Sequence, residues 1–315
     1  MRDKNIGFIG LGNVGEKIAN NILKGNYNLF VNDLKKNKSK KLIKKGAIWC
    51  STMQELANNT SIIITCLPSP SSVNQVLSKL IPFMNSNHLW IEMSTTDESE
   101  MNRLSKICLK KKINTLEAPI TGGQHRAESG NISIFVGGNK KNYNRAFNLL
   151  SLIGYKILYC GKLGNASTLK VVTNYLASIN LISIGEALMV CKKYGIDLKT
   201  SYNGIKISSG NSFVNETETQ LILNGSYNVG FTMDLVCKDV GLFDKLTDKY
   251  KIPAKISNIM NTIFLDGKKK YGGRSLSTKI VKILEEKCNE NLRAPGFPNK
   301  LIDKSNKKKG IEIKI

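Results

Sequence analysis

Short apolar runs alternate with amphipathic stretches through the first half of the chain. Seven runs have the length and the Ile and Val content of β-strands: residues 6–9, 29–31, 62–66, 89–93, 114–118, 132–136 and 156–160. Between several of them, apolar residues recur at helical spacing, as at Val14, Ile18 and Ile22. Strands that alternate with helices in this way predict a parallel sheet covered by helices on both faces.

The hydrophobic pattern changes near residue 161. Residues 165–193 form one long helical pattern without proline, with apolar positions on more than one side. Shorter helical patterns follow at residues 198–208, 216–223, 233–250, 254–265 and 278–288. We predict no strand after residue 160. The sequence therefore indicates an α/β domain followed by an all-α domain, joined by a helix long enough to pack on both domains or on another subunit.

The chain length of 315 residues accommodates two domains. We place the α/β domain at residues 1–161 and the helical domain at residues 162–289. Residues 290–315 are polar and contain Pro295-Gly296, Pro298 and three consecutive lysines at 307–309. This composition predicts a loosely attached tail.

The charge of the chain narrows the range of partners. The net charge is +23, but only six of the 47 basic residues are Arg, the side chain that reads phosphates and guanines in a bidentate manner. The Lys residues are spread along the whole chain, so we expect no specific nucleic acid partner. No stretch approaches the roughly 18 uncharged apolar residues that span a bilayer. We therefore expect a cytoplasmic protein without a membrane partner.

Cysteine and histidine are too scattered for several kinds of site. The seven Cys include no C-x-x-C pair, so we expect neither a disulfide framework nor a metal site. Only two His are present, His88 and His125, and no G-x-S-x-G elbow accompanies either. The sequence therefore does not favour serine-hydrolase chemistry.

A glycine-rich turn links the first predicted strand to the first predicted helix. Gly10 permits a tight turn, Gly12 lets the backbone approach a pyrophosphate, and Gly15 lets the helix pack on the strand. We predict a Rossmann-type dinucleotide site. Its phosphate-binding turn consists of Gly10, Leu11, Gly12, Asn13, Val14 and Gly15.

Asp33 ends the second strand, eighteen residues after the turn. A carboxylate there would accept both ribose hydroxyls of NAD and repel the 2′-phosphate of NADP. Lys35 and Lys36 follow closely, so NAD is the expected cofactor and NADP stays open as the alternative.

Further segments follow the turn in a fixed order. They are Cys66-Leu67-Pro68-Ser69, Glu92-Met93-Ser94-Thr95, Glu117-Ala118-Pro119-Ile120-Thr121-Gly122-Gly123, Gly164-x5-Lys170-x3-Asn174 and Phe231-x2-Asp234-Leu235-x2-Lys238-Asp239. Together with the turn they resemble the β-hydroxyacid dehydrogenase family, and residues 129–138 look most like its 3-hydroxyisobutyrate branch. The resemblance covers residues 5–288. It implies NAD(P)-dependent oxidation of a small carboxylate-bearing 3-hydroxy acid, or reduction of its semialdehyde.

Several positions depart from the family pattern. Glu117 replaces the usual Asp, Thr121 replaces the usual Ser, and Thr173 replaces the first Asn of a pair whose second member is Asn174. These changes preserve the chemistry. His125 lies where small or apolar residues are common, and we interpret it as a pocket-wall or surface residue rather than an acid or base.

By this resemblance Lys170 is the catalytic acid/base and Asn174 is the second catalytic residue. A lysine on the inner face of a buried helix, beside a nicotinamide cation, would have a lowered pKa and could take the hydroxyl proton. Asn174 lies one turn further along the same face and would hold a substrate oxygen.

The resemblance also assigns binding roles. The predicted substrate-binding residues are Ser94, Thr121, Gly122 and Gly123, because backbone N–H groups and a hydroxyl suit a carboxylate. The predicted cofactor contacts outside the turn are Asp33, Leu67, Pro68, Thr95 and Lys238.

One alternative function is non-enzymatic: a dehydrogenase-like binding protein whose basic surface holds nucleic acid or a partner. Degenerate relatives of this fold lack the catalytic lysine, and imine reductases of the superfamily typically replace it, so Lys170 argues against both. The apolar surface of the long helix predicts a homodimer or a homotetramer.

Overall fold

A computed structural model describes residues 2–314. The chain forms two compact units. The first extends to Lys170 and takes in the chain again from Asp303 onward, and the second is Val171–Ile302. The division between the units falls inside the long helix, Asn165–Tyr194. It lies nine residues later than the boundary that the sequence pattern predicts, because the first turns of this helix belong to the first unit.

The first unit is built on one sheet. Its strands in the described chain are β1 (Asn5–Ile9), β2 (Asn28–Asn32), β3 (Ile48–Trp49), β4 (Ile62–Thr65), β5 (Leu89–Glu92), β6 (Asn114–Glu117), β7 (Ile120–Thr121), β8 (Ile132–Gly138), β9 (Gly154–Tyr159) and β10 (Ile311–Ile313). Their order across the sheet is β10-β9-β8-β6-β5-β4-β1-β2-β3, and β7 pairs with β8. Neighbouring strands are parallel, except that β8 is antiparallel to β6 and β7.

Helices cover both faces of this sheet. Side chains alternate along each strand, so apolar residues lie on both faces and both need to be covered. The helices are α1 (Gly15–Leu23), α2 (Lys40–Ile43), α3 (Met53–Asn59), α4 (Pro70–Leu80), α5 (Glu98–Lys110), α6 (Gly123–Ser129) and α7 (Lys140–Ile153). In β4, Ile62 and Ile64 lie in the same apolar cluster as residues of α1 and α7, whereas Ile63 lies in the cluster that includes α3, α4 and α5. The result is the doubly covered sheet that the strand and helix alternation predicts.

The second unit is helical. It contains most of α8 (Asn165–Tyr194), together with α9 (Leu198–Lys206), α10 (Phe213–Asn224), α11 (Met233–Lys249), α12 (Lys255–Tyr271) and α13 (Ile280–Cys288). Within residues 171–302 there is no strand, only an isolated bridge between Thr232 and Leu276. Its core joins Leu188 of α8 to Val236, Phe264 and Val281. The predicted fold class, an α/β Rossmann domain followed by an all-α domain, is confirmed.

The segment of residues 290–314 is held in place, so the prediction of a loosely attached tail is wrong. Its first part is anchored in the second unit, where Glu285 accepts hydrogen bonds from Leu292 N (2.8 Å) and Arg293 Nη1 (2.7 Å). Its last part belongs to the first unit and adds β10 to the sheet beside β9. β10 also contradicts the expectation of no strand after residue 160. Composition misses β10 because its partner strand, β9, lies far earlier in the chain.

One described helix, α8, is long and apolar enough to cross a membrane by length and composition alone. Its most apolar 18-residue window has a mean hydropathy of 1.3, and 39% of that window is buried. Polar residues such as Asn174 interrupt the apolar residues of α8, so no long uncharged apolar run marks this helix in the sequence. A core helix of a folded domain satisfies the same length and composition test.

Candidate active site

The predicted cofactor-binding residues of the first unit, together with Ser94, follow strands whose carboxyl ends meet at one edge of the sheet. β1, β2, β4, β5 and β6 are parallel neighbours in that part of the sheet. The glycine-rich turn follows β1, Asp33 follows β2, Leu67 and Pro68 follow β4, and Ser94 and Thr95 follow β5. Ligands of open α/β sheets bind outside this edge.

The glycine-rich turn has the form that a pyrophosphate requires. Gly10 has a φ of +101°, and a Cβ at Gly15 would lie 2.0 Å from the Gly10 carbonyl oxygen, so both positions need glycine. A Cβ at Gly12 would meet no described atom within 4 Å. The backbone at Gly12 therefore borders open space at the start of α1, where amide groups and the helix dipole favour a phosphate.

Asp33 is folded back onto the turn. Its Oδ2 accepts a hydrogen bond from Leu11 N (2.7 Å), and its Oδ1 accepts one from Lys35 N (2.9 Å). Lys38 Nζ lies 3.9 Å from Oδ1. The structure thus brings the predicted ribose-binding carboxylate to the turn that is predicted to bind the phosphates, while a lysine that the sequence reading did not name stands nearby.

A buried carboxylate connects the ends of β4 and β5. Glu92 Oε1 accepts a hydrogen bond from Ser94 N (2.6 Å), and its Oε2 accepts one from the Thr65 hydroxyl. Ser94 Oγ in turn accepts a hydrogen bond from Leu67 N (2.7 Å). Burial raises the pKa of Glu92 to about 7, against the opposing effect of the hydrogen bonds from Ser94 and Thr65. Glu92 thereby fixes the predicted substrate residue Ser94 against the predicted cofactor residue Leu67.

The Thr121–Gly123 turn requires its glycines. Gly122 and Gly123 have φ values of +122° and +83°, a region that favours glycine. A Cβ at Gly123 would lie 3.1 Å from His125 Cε1, and one at Gly122 would lie 3.1 Å from Arg126 Cδ. The predicted carboxylate-binding turn is therefore packed against two side chains of α6, and one of them is His125.

Glu117, at the end of β6, caps the helix that carries Lys170. Its Oε1 accepts hydrogen bonds from Gly164 N (2.7 Å) and Ala166 N (2.9 Å). Its Oε2 accepts hydrogen bonds from Ser167 N (3.3 Å) and Ser167 Oγ (2.5 Å). Burial raises the pKa of Glu117, and the hydrogen bonds from α8 oppose that effect. The Ala166 and Ser167 amides are first-turn groups of α8 that the helix itself leaves unsatisfied, and Gly164 directly precedes the helix.

Lys170 follows this capped turn by three residues and is only 7% exposed. No other lysine in residues 2–314 is buried to that degree. Lysines are almost never fully buried without a specific reason. Burial distinguishes Lys170 from the many surface lysines of the chain. The predicted acid/base requires such a buried position.

In the second unit, one carboxylate joins two predicted site residues. Asp239 is 2% exposed, and its Oδ2 accepts a hydrogen bond from Asn174 Nδ2 (2.5 Å). Lys238 Nζ lies 2.6 Å from Asp239 Oδ1. Because Asn174 donates its amide nitrogen to Asp239, the Asn174 Oδ1 is the end of the amide that is directed elsewhere. Asn174 lies four residues after Lys170 in one uninterrupted helix.

Sequence reasoning missed the roles of three carboxylates. Glu92, Glu117 and Asp239 all lie inside the motifs that it singled out, but Glu117 was noted only as a replacement for Asp. The available signal was an acidic residue at the end of an apolar strand, which is costly to bury unless it is hydrogen-bonded. Within residues 2–314, no group of His, Cys, Asp and Glu is arranged to hold a metal.

Two sequence families match the chain. The family described as the NAD binding domain of 6-phosphogluconate dehydrogenase matches residues 5–161. The family described as NAD-binding of NADP-dependent 3-hydroxyisobutyrate dehydrogenase matches residues 164–284. Both halves of the described chain are thus similar to parts of nicotinamide-dependent dehydrogenases.

Individual proteins match over most of their length. The 2-(hydroxymethyl)glutarate dehydrogenase of Eubacterium barkeri is 30% identical over 285 residues, 89% of this chain and 95% of that protein. The mitochondrial 3-hydroxyisobutyrate dehydrogenase of Rattus norvegicus is 30% identical over 89% of this chain and 87% of its own. The structure of Mycobacterium tuberculosis 3-hydroxyisobutyrate dehydrogenase with L-serine has a TM-score of 0.81 at 21% identity, covering 90% of this chain and 99% of that one.

The turn at Gly10–Gly15 supports a direct test with a matched pair of variants. Gly15→Ala should lower the free energy of unfolding by about 1–3 kcal/mol, because the new methyl group collides with backbone. Gly12→Ala should leave that free energy within about 0.5 kcal/mol of wild type but weaken NAD binding, because the methyl group occupies the open space beside the turn. Urea unfolding and titration calorimetry measure the two effects. Wild-type NAD affinity in Gly12→Ala would rule out this turn as the phosphate site.

Proposed function

The chain belongs to the β-hydroxyacid dehydrogenase family, and we propose that it oxidises 3-hydroxyisobutyrate or a close analogue with NAD, using Lys170 as the acid/base. The observation that carries this proposal is the buried Lys170 on a helix whose first turn is capped by Glu117. Membership of the family makes the chain an NAD(P)-dependent oxidoreductase that acts on CH–OH groups and disfavours the non-enzymatic alternative.

Lys170 takes the proton of the substrate hydroxyl during oxidation and returns it during reduction. A lysine can serve both directions only if its neutral form is accessible, and removal from water favours that form. Asp239 accepts a hydrogen bond from Asn174 Nδ2 and thereby orients the amide. In this role the second N–H of Nδ2 donates to the reacting oxygen. A donor at that oxygen does not compete with Lys170 for the hydroxyl proton.

The cofactor lies on the Gly10–Gly15 turn with its adenosine ribose at Asp33. When bound, the nicotinamide supplies the hydride acceptor. Asp33 favours NAD, since a carboxylate accepts two ribose hydroxyls and repels a 2′-phosphate. Lys38, 3.9 Å from Asp33, moderates that repulsion, so we expect a preference for NAD rather than exclusion of NADP.

The substrate carries a carboxylate that the Thr121–Gly123 turn binds through backbone N–H groups and the Thr121 hydroxyl. Ser94, fixed by Glu92, lines the same edge of the sheet. The names of the relatives supply two candidate substrates, 3-hydroxyisobutyrate and 2-(hydroxymethyl)glutarate, both of which combine a hydroxymethyl group with a carboxylate. We favour the first because residues 129–138 look most like the 3-hydroxyisobutyrate branch.

We further propose a cytoplasmic homodimer or homotetramer without a nucleic acid or membrane partner. Three apolar side chains of α8 are half or more exposed, namely Leu176 (50%), Val190 (69%) and Tyr194 (84%). A second copy of the chain would bury such residues, which are otherwise costly to leave in water. Burial against a second copy of the chain accounts for the apolar character of α8 without a membrane.

A substrate panel tests the proposed function. Wild-type protein is assayed with 3-hydroxyisobutyrate, 2-(hydroxymethyl)glutarate, the methyl ester of the first and the dimethyl ester of the second, with NAD and with NADP, at the nicotinamide absorbance. We expect the highest kcat/KM with 3-hydroxyisobutyrate and NAD, and little activity with the esters, which lack the carboxylate charge. Absence of activity with every 3-hydroxy acid and both cofactors would refute the proposal.

Replacement of Lys170 tests the acid/base. Lys170→Ala should reduce turnover on the order of 10²–10⁴-fold and leave NAD binding nearly unchanged, because the predicted phosphate site lies at the glycine-rich turn. Lys170→Arg should fail as well, since guanidinium does not give up its proton near neutral pH. Lys206→Ala, on the exposed face of α9, is the matched control and should behave as wild type. Near-wild-type turnover in Lys170→Ala would mean that another group is the base.

A further inference from the structure

The chain from Asp303 onward lies beyond the residues that the dehydrogenase families match, which end at 284. It nevertheless belongs to the first unit, where β10 pairs in parallel with β9. Lys140 Nζ lies 2.6 Å from Glu312 Oε1 beside this strand. A Cβ at Gly310 would lie 2.5 Å from Ser151 Cα, so the segment is closely packed where it enters the sheet.

We call the chain from Asp303 onward the C-terminal segment. Before it reaches the sheet, Asp303 anchors it through hydrogen bonds. Asp303 Oδ2 accepts hydrogen bonds from Ser129 Oγ (2.6 Å) and Asn131 Nδ2 (3.0 Å), and its Oδ1 accepts hydrogen bonds from Ser305 N (3.0 Å) and Ser305 Oγ (2.5 Å). Partial burial acts to raise the pKa of Asp303, but the hydrogen bonds from Ser129, Ser305 and Asn131 outweigh it and hold the pKa well below its usual range. The hydrogen bonds are therefore made to an ionised carboxylate, and such bonds are the stronger kind.

Asn131 binds the same segment through two further hydrogen bonds. Its Oδ1 accepts a hydrogen bond from Lys308 N (3.0 Å), and its Nδ2 also donates to the Asn306 carbonyl oxygen (3.3 Å). Asn131 is buried and directly precedes β8. The C-terminal segment is thus bound to the short connection between α6 and β8.

α6 is the link between this connection and the Thr121–Gly123 turn. Ser129, which Asp303 holds, is the last residue of α6, and Gly123 is its first. Seven helical residues span only about 10 Å. His125 and Arg126, on the first turn of α6, pack against Gly123 and Gly122. A shift of the end that Asp303 holds is therefore transmitted to the turn through a short rigid body.

We propose that Asp303 is a positioning residue for substrate binding, which acts through Ser129 and α6 to fix the Thr121–Gly123 turn. The C-terminal segment thereby sets how tightly the substrate carboxylate is held. This inference rests on the proposed function, because it assumes that the turn binds that carboxylate. It assigns a role in the reaction to a part of the chain that the family matches leave out.

The kinetic consequence is specific. The carboxylate lies away from the reacting carbon, so its binding contributes about equally to the ground state and the transition state. Loss of Asp303 should therefore raise KM more than it lowers kcat. The helix that carries Lys170 is capped by Glu117 from the end of β6, which is a further reason for kcat to persist.

Three variants test the proposal in the full-length protein. Asp303→Ala and Ser129→Ala should each raise KM for the best 3-hydroxy acid by up to about tenfold, with kcat within about twofold and the Kd for NAD unchanged. The double variant should be no worse than Asp303→Ala alone, because both changes break the same contact. Glu312→Gln, which removes the ion pair with Lys140 but not the contacts with α6, is the matched control and should keep the wild-type KM.

Melting temperature separates a positioning role from a purely structural one. A lower melting temperature in Asp303→Ala and Ser129→Ala, with wild-type KM and kcat, would overturn the proposal, and so would an equal rise of KM in Glu312→Gln. If Asp303→Ala fails to fold, Ser129→Ala decides the outcome alone, since it leaves the C-terminal segment intact. Inactivity of wild type on every 3-hydroxy acid would instead refute the proposed function, and this inference with it.

Discussion

The first unit depends on one long-range contact, the Glu117 carboxylate at the start of α8. Helix α8 begins with amide groups that lack partners within the helix. Glu117, at the end of β6, satisfies those of Ala166 and Ser167, together with the amide of Gly164 just before the helix. The negative charge also complements the positive end of the helix dipole. Because β6 runs on toward the Thr121–Gly123 turn and α8 carries Lys170 one turn later, this carboxylate relates the proposed carboxylate-binding turn to the proposed base.

Glu92 and Asp239 repeat the same arrangement elsewhere. Each is a buried carboxylate that accepts hydrogen bonds from a predicted site residue, Ser94 for Glu92 and Asn174 for Asp239. A buried carboxylate is expensive unless it is fully hydrogen-bonded, and burial raises the pKa of Glu92 to about 7. The cost is understandable if these groups serve to orient neighbours that bind cofactor or substrate, since precise placement is worth several orders of magnitude in rate.

The sequence predicted what local patterns encode. Strand and helix alternation located seven strands of the sheet, and the glycine spacing located the turn at Gly10–Gly15 in its strand-to-helix setting. It missed the two-residue strands β3 and β7, which are too short for a period, and β10, whose Ile311–Ile313 lies in a lysine-rich segment. It also missed the anchoring by Asp303 and Arg293, because Ser129, Asn131 and Tyr227, which they contact, lie far earlier in the chain.

The role of the Glu117 cap is tested most directly by comparing Glu117→Gln with Glu117→Asp and with Glu186→Gln. Glu186 is an exposed glutamate of α8, and its variant serves as the control. Turnover and NAD affinity are measured for each, together with melting temperature. We predict that Glu117→Gln loses about tenfold or more in turnover while the Kd for NAD is unchanged, and that Glu117→Asp, which keeps the charge, retains more activity. Wild-type turnover in Glu117→Gln, whatever its melting temperature, would contradict the claim that this cap positions Lys170.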